Sequence, residues 1–303
     1  MSTNKLPSTN KPQSTNKPQS TSQLQARDLE ILVTLYRHGF LLRDHLHTLC
    51  FPTCTRRRVT RRLHKLVLAE AIVGGPLPLG AFPLGPPSIA PHPGQFAYRL
   101  SRNGVDLVAQ ALEIDTALVK RRTQAAPSYV GHAVAVASVA ASFHAFASRQ
   151  GYQVGDFLCA GEARYCYEWI PPGEAKWKPE ELRPDGLVQL QRGDASFPIH
   201  VEADMATQGR CELQSKLEAY AVYAKTGALK KRLSQSTLHL AFVTTSPERI
   251  GVIRKVLSEL KAPELESTRV TTFTELLQQG PLAPIWRSAP PTPPSHRTGL
   301  LPS

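Results

Sequence analysis

Three carboxylates flank two neighbouring strand-like segments in the second half of the chain. Asp185 lies immediately before the run 186–190, and Glu202 and Asp204 lie at the end of the run that begins at residue 197. Pairing of these two strands would bring Asp185 and Glu202 to one edge of a sheet. Converging carboxylates offer the oxygen ligands that Mg²⁺ prefers, and a metal-bound water can attack a phosphodiester. Asp185 and Glu202 are therefore a candidate metal pair, and Asp204 is a further candidate catalytic residue.

A lysine on the next predicted helix is the remaining candidate catalytic residue. Lys216 lies within the amphipathic segment 209–225, with Leu213 and Tyr220 at i−3 and i+4, so it borders the face that packs on the sheet. A lysine there can stabilise charge that develops on a phosphate. The alternative is a boundary lysine whose aliphatic stem covers apolar surface.

A second set of residues suits binding rather than catalysis. Apolar residues at positions 59, 63 and 66 recur at i, i+4 and i+7, which predicts a helix with one apolar face. The opposite face is basic and fits a phosphate backbone, and we expect its N-terminal residues 56–60 to reach base edges. A solvated basic helix on an ordinary surface is the alternative. The candidate DNA-binding residues are Arg56, Arg57, Arg58, Thr60, Arg61, Arg62 and Lys65.

The overall charge favours a polyanionic partner. The formal net charge is +12 and the isoelectric point is about 9.7, which fits nucleic acid best and an anionic membrane surface second. The sequence shows no run of about 20 apolar residues, and residues 1–25 lack the apolar core of a signal peptide. We therefore expect a cytoplasmic protein without a membrane partner.

The first half of the chain predicts a helix-turn-helix domain between two polar segments. Residues 1–26 repeat a Ser-Thr-Asn-Lys motif and predict a disordered tail. Residues 27–112 read as helices near 28–38, 41–49 and 55–68, two strands at 71–73 and 95–100, and a helix that starts after the capping residue Ser101. This order is typical of a winged helix-turn-helix domain, with the long Gly- and Pro-rich connection 74–94 as its wing. Residues 113–127 read as a charged linker.

The second half predicts an α/β domain with a mixed central sheet over residues 128–287. Residues 129–146 read as a buried helix entered at Ser128, and its His132 and His144 as core or boundary histidines. Strand-like runs follow near residues 152, 163, 186, 197, 238 and 269, with helices at 209–225 and 247–260. Residues 288–303 read as a disordered proline-rich tail. The predicted fold class is thus a multi-domain α/β protein.

The acidic constellation resembles the PD-(D/E)xK nuclease fold. That family's pattern is Pro-Asp, a strand, and then Glu-x-Lys. Pro184-Asp185 and Glu202 fit the pattern, whereas Asp204 stands where the lysine is expected. Lys216 would supply the missing lysine from the following helix. The resemblance therefore implies a degenerate nuclease-like domain, with Mg²⁺ as its cofactor if the site is active.

The chain as a whole resembles the plasmid replication-relaxation proteins of bacteria over about residues 27–245. The resemblance implies a DNA-binding role in the replication or mobilisation of a plasmid or mobile element. The motifs that carry it are Arg27-Asp28, Leu35 to Phe40, Arg61 to Leu63, Tyr98 to Gly104, His132, Glu162, Arg183 to Gly186, Val201 to Thr207, Lys216 and Tyr220.

Three functions remain open from the sequence. The first is a double-stranded-DNA-binding accessory protein, with a relaxase or replication-initiator protein as a further partner. The second is a Mg²⁺-dependent DNA endonuclease that uses Asp185 and Glu202. The third is a winged-helix transcriptional repressor without catalysis.

Overall fold

A computed structural model describes residues 24–77, 96–123, 129–159, 162–171, 173–289, 292–293 and 295–301. The fold is mixed α/β, as predicted, with a small antiparallel sheet in its first half and a six-stranded mixed sheet in its second. Residues 1–23 of the predicted N-terminal tail, residues 78–94 of the predicted wing, Gln95 and Ser128 lie outside the described residues.

In the described residues, the N-terminal unit packs its helices against a three-stranded sheet of order β1-β3-β2. The helix expected over 41–49 is shorter than predicted, because Leu41 and Leu42 pair with Tyr98 and Ala97 as a strand. The elements are α1 (Ala26–His38), β1 (Leu41–Leu42), α2 (Arg43–Cys50), α3 (Arg56–Leu68), β2 (Ile72–Pro76), β3 (Phe96–Leu100) and α4 (Arg102–Leu112).

The apolar face of α3 closes the core of this unit. Val59, Leu63 and Leu66 are all buried there, as the periodicity predicted. Ser101 caps α4 by accepting a 3.0 Å hydrogen bond from the Gly104 N–H. A Cβ on Gly104 would lie 2.0 Å from the Ala71 carbonyl oxygen, so only glycine lets α4 approach the start of β2 this closely.

The predicted linker 113–127 contains a helix, α5 (Thr116–Thr123), which corrects the interpretation of this stretch as a charged connection. The Asp115 carboxylate accepts a 2.8 Å hydrogen bond from the Ala117 N–H at its start. Val119 is buried in the core of the N-terminal unit and docks the helix there. Residues 124–127 lie outside the described part.

The C-terminal unit is built on a six-stranded sheet of order β11-β10-β9-β8-β7-β4. Strands β8, β9 and β10 run parallel, and the other pairs are antiparallel. A separate hairpin, β5–β6, covers one face. The elements are α6 (Val130–Phe146), β4 (Gln153–Cys159), β5 (Tyr165–Trp169), β6 (Lys178–Leu182), β7 (Gly186–Arg192), β8 (Ala195–Asp204), α7 (Arg210–Lys225), α8 (Ala228–Leu233), β9 (His239–Thr244), α9 (Pro247–Leu260), β10 (Thr268–Thr272), α10 (Phe273–Gln279) and β11 (Arg287–Ser288).

Helices cover both faces of this sheet. On one face, α6 and α10 pack against alternate strand residues such as Val188, Val201 and Val243. On the other, α7 and α9 pack against Leu240 and Phe242. The alternation along β8 therefore sends Val201 and Ala203 towards α6, and Glu202 and Asp204 towards α7 and α9.

Helix α6 corrects the expectation that no segment is apolar enough to resemble a membrane span. Together with the 3₁₀ turn that follows it, the helix Val130–Gln150 has the length and composition of a membrane span, with a mean hydropathy of 1.5 in its most apolar window. Within the fold 78% of that window is buried. Its apolar surface is therefore already covered by protein, as expected of a core helix.

The two units share α6. Ala137 contributes to the core of the N-terminal unit, whereas Val139 and Phe143 belong to the core of the sheet. His45 Nε2 lies 3.0 Å from Ser138 Oγ at the junction. Arg37 also pairs with Asp156 of β4 at 3.0 Å. Contacts from α1, α2 and β4 thus hold the N-terminal unit against the C-terminal one.

The segment 288–303 was predicted to be a disordered tail, but its described residues are ordered and pack against the C-terminal unit. The prediction of disorder is therefore wrong for residues 288–289, 292–293 and 295–301. Trp286 and Thr298 exchange backbone hydrogen bonds of 3.2 and 2.8 Å, and Leu300 is buried in the core. Arg297 pairs with Glu275 of α10 at 2.5 Å, next to the pair of Arg287 with the same carboxylate. Apolar and ionic contacts offset the ordering entropy of this segment.

Candidate functional site

The outer face of α3 presents a row of exposed cations. Arg57, Arg61 and Lys65 recur at i, i+4 and i+8, and Arg58 lies beside them. Arg56 is also exposed, and its Nη2 lies 3.5 Å from the Asp44 carboxylate. The row is therefore directed towards solvent, where a phosphate backbone could reach it.

Two of the predicted DNA-binding residues make contacts within the protein instead. Arg62 donates two hydrogen bonds to Asp28 of α1, whose side chain is only 1% exposed. This corrects the inclusion of Arg62 in the candidate interface, because its guanidinium neutralises a buried carboxylate and joins α3 to α1. The Thr60 hydroxyl donates a 3.1 Å hydrogen bond to the Arg56 carbonyl oxygen of its own helix, an ordinary arrangement for a helical threonine.

In the C-terminal unit the antiparallel register of β7 and β8 brings the first two carboxylates together. Gly186 of β7 pairs with Val201 of β8. Asp185, just before Gly186, and Glu202, just after Val201, therefore lie at the same end of the sheet. Asp185 Oδ2 accepts a 2.9 Å hydrogen bond from the Ala203 N–H. Its Oδ1 lies 3.0 Å from His132 Nε2 of α6.

Helix α7 supplies the partners of Glu202. Lys216 Nζ donates to Glu202 Oε2 at 2.6 Å, and the Tyr220 hydroxyl donates to Oε1 at 2.5 Å. Spacing of i and i+4 places Lys216 and Tyr220 on one face of the helix. The Glu202 side chain is 1% exposed and that of Lys216 is 25% exposed. We call Asp185, Glu202, Lys216, Tyr220 and His132 the carboxylate site.

In the carboxylate site, burial acts against charge pairing. Burial and the Asp185 charge raise the pKa of Glu202 to about 8, although Lys216 and Tyr220 oppose that shift. Burial alone would lower the pKa of Lys216, but the Glu202 and Asp185 carboxylates outweigh it and raise that pKa. Both oxygens of Glu202 accept hydrogen bonds, an arrangement that fits an ionised carboxylate beside a charged ammonium group.

Asp204 is engaged outside the carboxylate site. Arg249 Nε and Nη2 donate to its two oxygens at 2.8 and 2.9 Å, and the Thr244 hydroxyl donates at 2.7 Å. This bidentate pair fastens the start of α9 to the end of β8. The structure therefore corrects the choice of Asp204 as a candidate catalytic residue, because its carboxylate is committed to Arg249.

Two members of the carboxylate site, His132 and Tyr220, were not predicted to be site residues. His132 was predicted to be a core or boundary histidine, yet its ring contacts Asp185, and the Tyr129 ring lies 5.3 Å away. Tyr220 was expected on the face of the helix that packs on the sheet and among the resemblance motifs, without a role at Glu202. Its phenol fills the remaining donor position on Glu202, and burial raises its pKa well above the usual value, which keeps it a neutral donor. The signal for both residues was their place among the resemblance motifs.

Asp185 and Glu202 have the donor chemistry for Mg²⁺ but not the arrangement. Each of their four oxygens faces a protein nitrogen or hydroxyl group at 2.5–3.0 Å. The described residues also contain no group of three His, Cys, Asp or Glu side chains placed to hold a metal ion. The residues as arranged therefore do not fit a divalent cation.

Comparison with known protein families identifies the family of this chain. Residues 32–237, about two thirds of the chain, match the replication-relaxation family. The chain belongs to the replication-relaxation family. The match runs from within α1 to the residues before β9, so this replication-relaxation protein carries both the α3 row and the carboxylate site within the family region. No curated protein and no solved structure matches the chain. A role in replication or relaxation follows from the family.

Proposed function

We propose that this replication-relaxation protein is a double-stranded-DNA-binding accessory factor for the replication or mobilisation of a plasmid or mobile element. The observation that carries the proposal is the solvent-facing row Arg57, Arg58, Arg61 and Lys65 on α3. Such a row can replace the counterions that surround DNA phosphates. The apolar face of the same helix is buried, so the row is presented on a fixed support.

In this proposal the N-terminal unit acts as a winged helix-turn-helix domain. Helix α3 follows α2 after a short turn, and the antiparallel pair β2–β3 follows α3. This order supports α3 as the recognition helix and the β2–β3 connection as the wing. A relaxase or replication initiator would be the protein partner, and the cytoplasm its location.

The proposal is tested by fluorescence anisotropy with labelled duplex DNA. The full chain should bind duplex DNA with an affinity that falls steeply with salt, and unlabelled duplex should compete. Mapping of bound sites in cells then separates the roles. A site at an origin supports the accessory role, whereas a site at a promoter of the element supports the repressor alternative. Absence of salt-dependent duplex binding contradicts both.

Metal-dependent DNA cleavage is the second candidate function. The observation that favours it is the convergence of Asp185, Glu202 and Lys216, which strand pairing and helix spacing predicted. The test is incubation of supercoiled, linear and single-stranded DNA with Mg²⁺ or Mn²⁺. Cleavage that Asp185→Ala abolishes supports this function. Cleavage that survives the substitution would point to a contaminant.

A further inference from the structure

A cluster of buried aromatic side chains joins the hairpin β5–β6 to the sheet and to α7. Tyr165 of β5, His200 of β8 and Tyr223 of α7 lie with their ring centroids 5.1–6.0 Å apart. Each of these residues is at most 1% exposed. The cluster borders the carboxylate site, because the Tyr220 ring lies 6.0 Å from the His200 ring.

The polar atoms of this cluster have no hydrogen-bond partner among the described residues. They are the hydroxyl groups of Tyr165 and Tyr223 and both ring nitrogens of His200. Buried polar groups in folded proteins are in the large majority of cases paired with protein or with ordered water, since an unpaired group costs free energy. Four such atoms on three adjacent rings therefore point to a bound polar molecule.

The chemistry of the cluster selects an uncharged ligand. Burial lowers the pKa of His200 to about 4, although the nearby His239 backbone opposes that shift, so the imidazole is neutral near pH 7. Burial raises the pKa of Tyr223 to about 12 and raises that of Tyr165 as well, so both phenols stay protonated. A phenol and a neutral imidazole can each donate and accept hydrogen bonds. Water has the same dual character, and a buried water molecule typically makes about three hydrogen bonds.

We propose that Tyr165, His200 and Tyr223 enclose an internal water site that ties the hairpin β5–β6 and α7 to β8. The water bonds to the two hydroxyl groups and to the His200 ring, and so supplies the partners that these atoms need. Tyr223 follows Tyr220 by three residues on α7, so the site also anchors the helix face that carries Tyr220 towards Glu202. The proposal rests on this cluster alone and depends neither on DNA binding nor on DNA cleavage.

The direct test is a crystal structure of the full chain at a resolution that shows ordered water, from crystals grown with bromide as the halide. We expect electron density within about 3 Å of both hydroxyl groups and of the His200 ring, without an anomalous bromide signal. A bromide signal there would overturn the proposal, because the ligand would then be an anion held near Arg232, whose guanidinium lies 4.9 Å from the centre of the Tyr165 ring. A map that shows other buried waters and no density at this cluster would also overturn it.

Thermal unfolding of two variants tests the same site in solution. The variants Tyr165→Phe and Tyr223→Phe each remove one hydroxyl group that the water needs, so each should lower the melting temperature by about 2–4 °C. Tyr167→Phe is the matched control on the same hairpin, because the Tyr167 hydroxyl donates to the Ala219 carbonyl oxygen at 3.3 Å and its loss should act in the same direction. An unchanged or raised melting temperature in both test variants would overturn the proposal, since removal of an unpaired buried hydroxyl group relieves a cost. If circular dichroism shows that a variant is unfolded, the crystal structure of the wild type decides.

Discussion

The α3 row gives a quantitative prediction for DNA binding. The double substitution Arg57→Ala with Arg61→Ala removes two of the four exposed cations of the row without changing the buried face of the helix. The matched control is Lys230→Ala with Lys255→Ala, which removes the same charge from exposed positions of the C-terminal unit. Since both variants lower the net charge equally, a difference between them reports on the position of the charge.

The magnitude follows from the number of cations that the structure leaves on the outer face. Six basic residues would predict a log–log salt slope of about 5, but Arg62 is committed to Asp28 and Arg56 lies near Asp44. Four contacts at about 0.9 each predict a slope of about 3.6, and two contacts predict about 1.8. Between 50 and 200 mM salt, the wild type should therefore lose about 150-fold in affinity and the double variant about 12-fold.

The assay is fluorescence anisotropy with one duplex at several salt concentrations. The double variant should bind more weakly at low salt and should show the shallower slope, whereas the control should keep the wild-type slope. Thermal unfolding of each protein checks that the fold is retained. An unchanged slope in the double variant, or an equal fall in both variants, would refute the assignment of the α3 row to DNA.

Three further predictions concern stability. Asp28→Ala should lower the free energy of unfolding in urea by about 3 kcal/mol, because it leaves the partly buried Arg62 without its carboxylate; a loss below about 0.5 kcal/mol would contradict this pairing. Burial alone would raise the pKa of Glu275, but its partners Arg287 and Arg297 lower it to about 2. The ionised carboxylate therefore adds about 2 kcal/mol to the free energy of unfolding above pH 5. This contribution is lost as the pH falls towards 2. Glu275→Gln should flatten that acid dependence, and an unaltered pH profile would argue against it. Leu300→Ala should cost about 2 kcal/mol and exposed Ser295→Ala almost nothing, whereas equal effects would mean that the tail is not packed as described.

The fold class and most elements could be predicted because their signals are local. The apolar positions of α3 follow helical periodicity, and Ser101 precedes α4 as a cap. Helix α5 was missed because, of its residues 116–121 whose burial is described, only Val119 is buried. The C-terminal segment was misjudged because its proline content masks a few strong contacts, including that of Leu300. Prolines forbid regular helix but do not forbid packing.

The site could be predicted only in part, because its contacts join distant residues. Arg61 and Arg62 are adjacent in sequence, yet one faces solvent and the other contacts Asp28, 34 residues away. The Glu-x-Lys pattern places Asp204 where a lysine is expected, and the structure pairs Asp204 with Arg249 instead. Lys216 contacts Glu202 from α7, on the helix face that its spacing predicted. The partners of Arg62 and Asp204 cannot be read from spacing, because they depend on how the elements pack.

The most direct test of the central claim is photo-crosslinking from α3 to duplex DNA. His64 is exposed beside Arg61 and Lys65, so a photo-crosslinking amino acid in its place should sample the DNA without removing a cation. We predict a crosslink to duplex DNA from position 64 that unlabelled duplex competes away, and none from exposed position 255 in the other unit. Equal crosslinking from the two positions, or crosslinking from position 255 alone, would contradict the placement of DNA on α3.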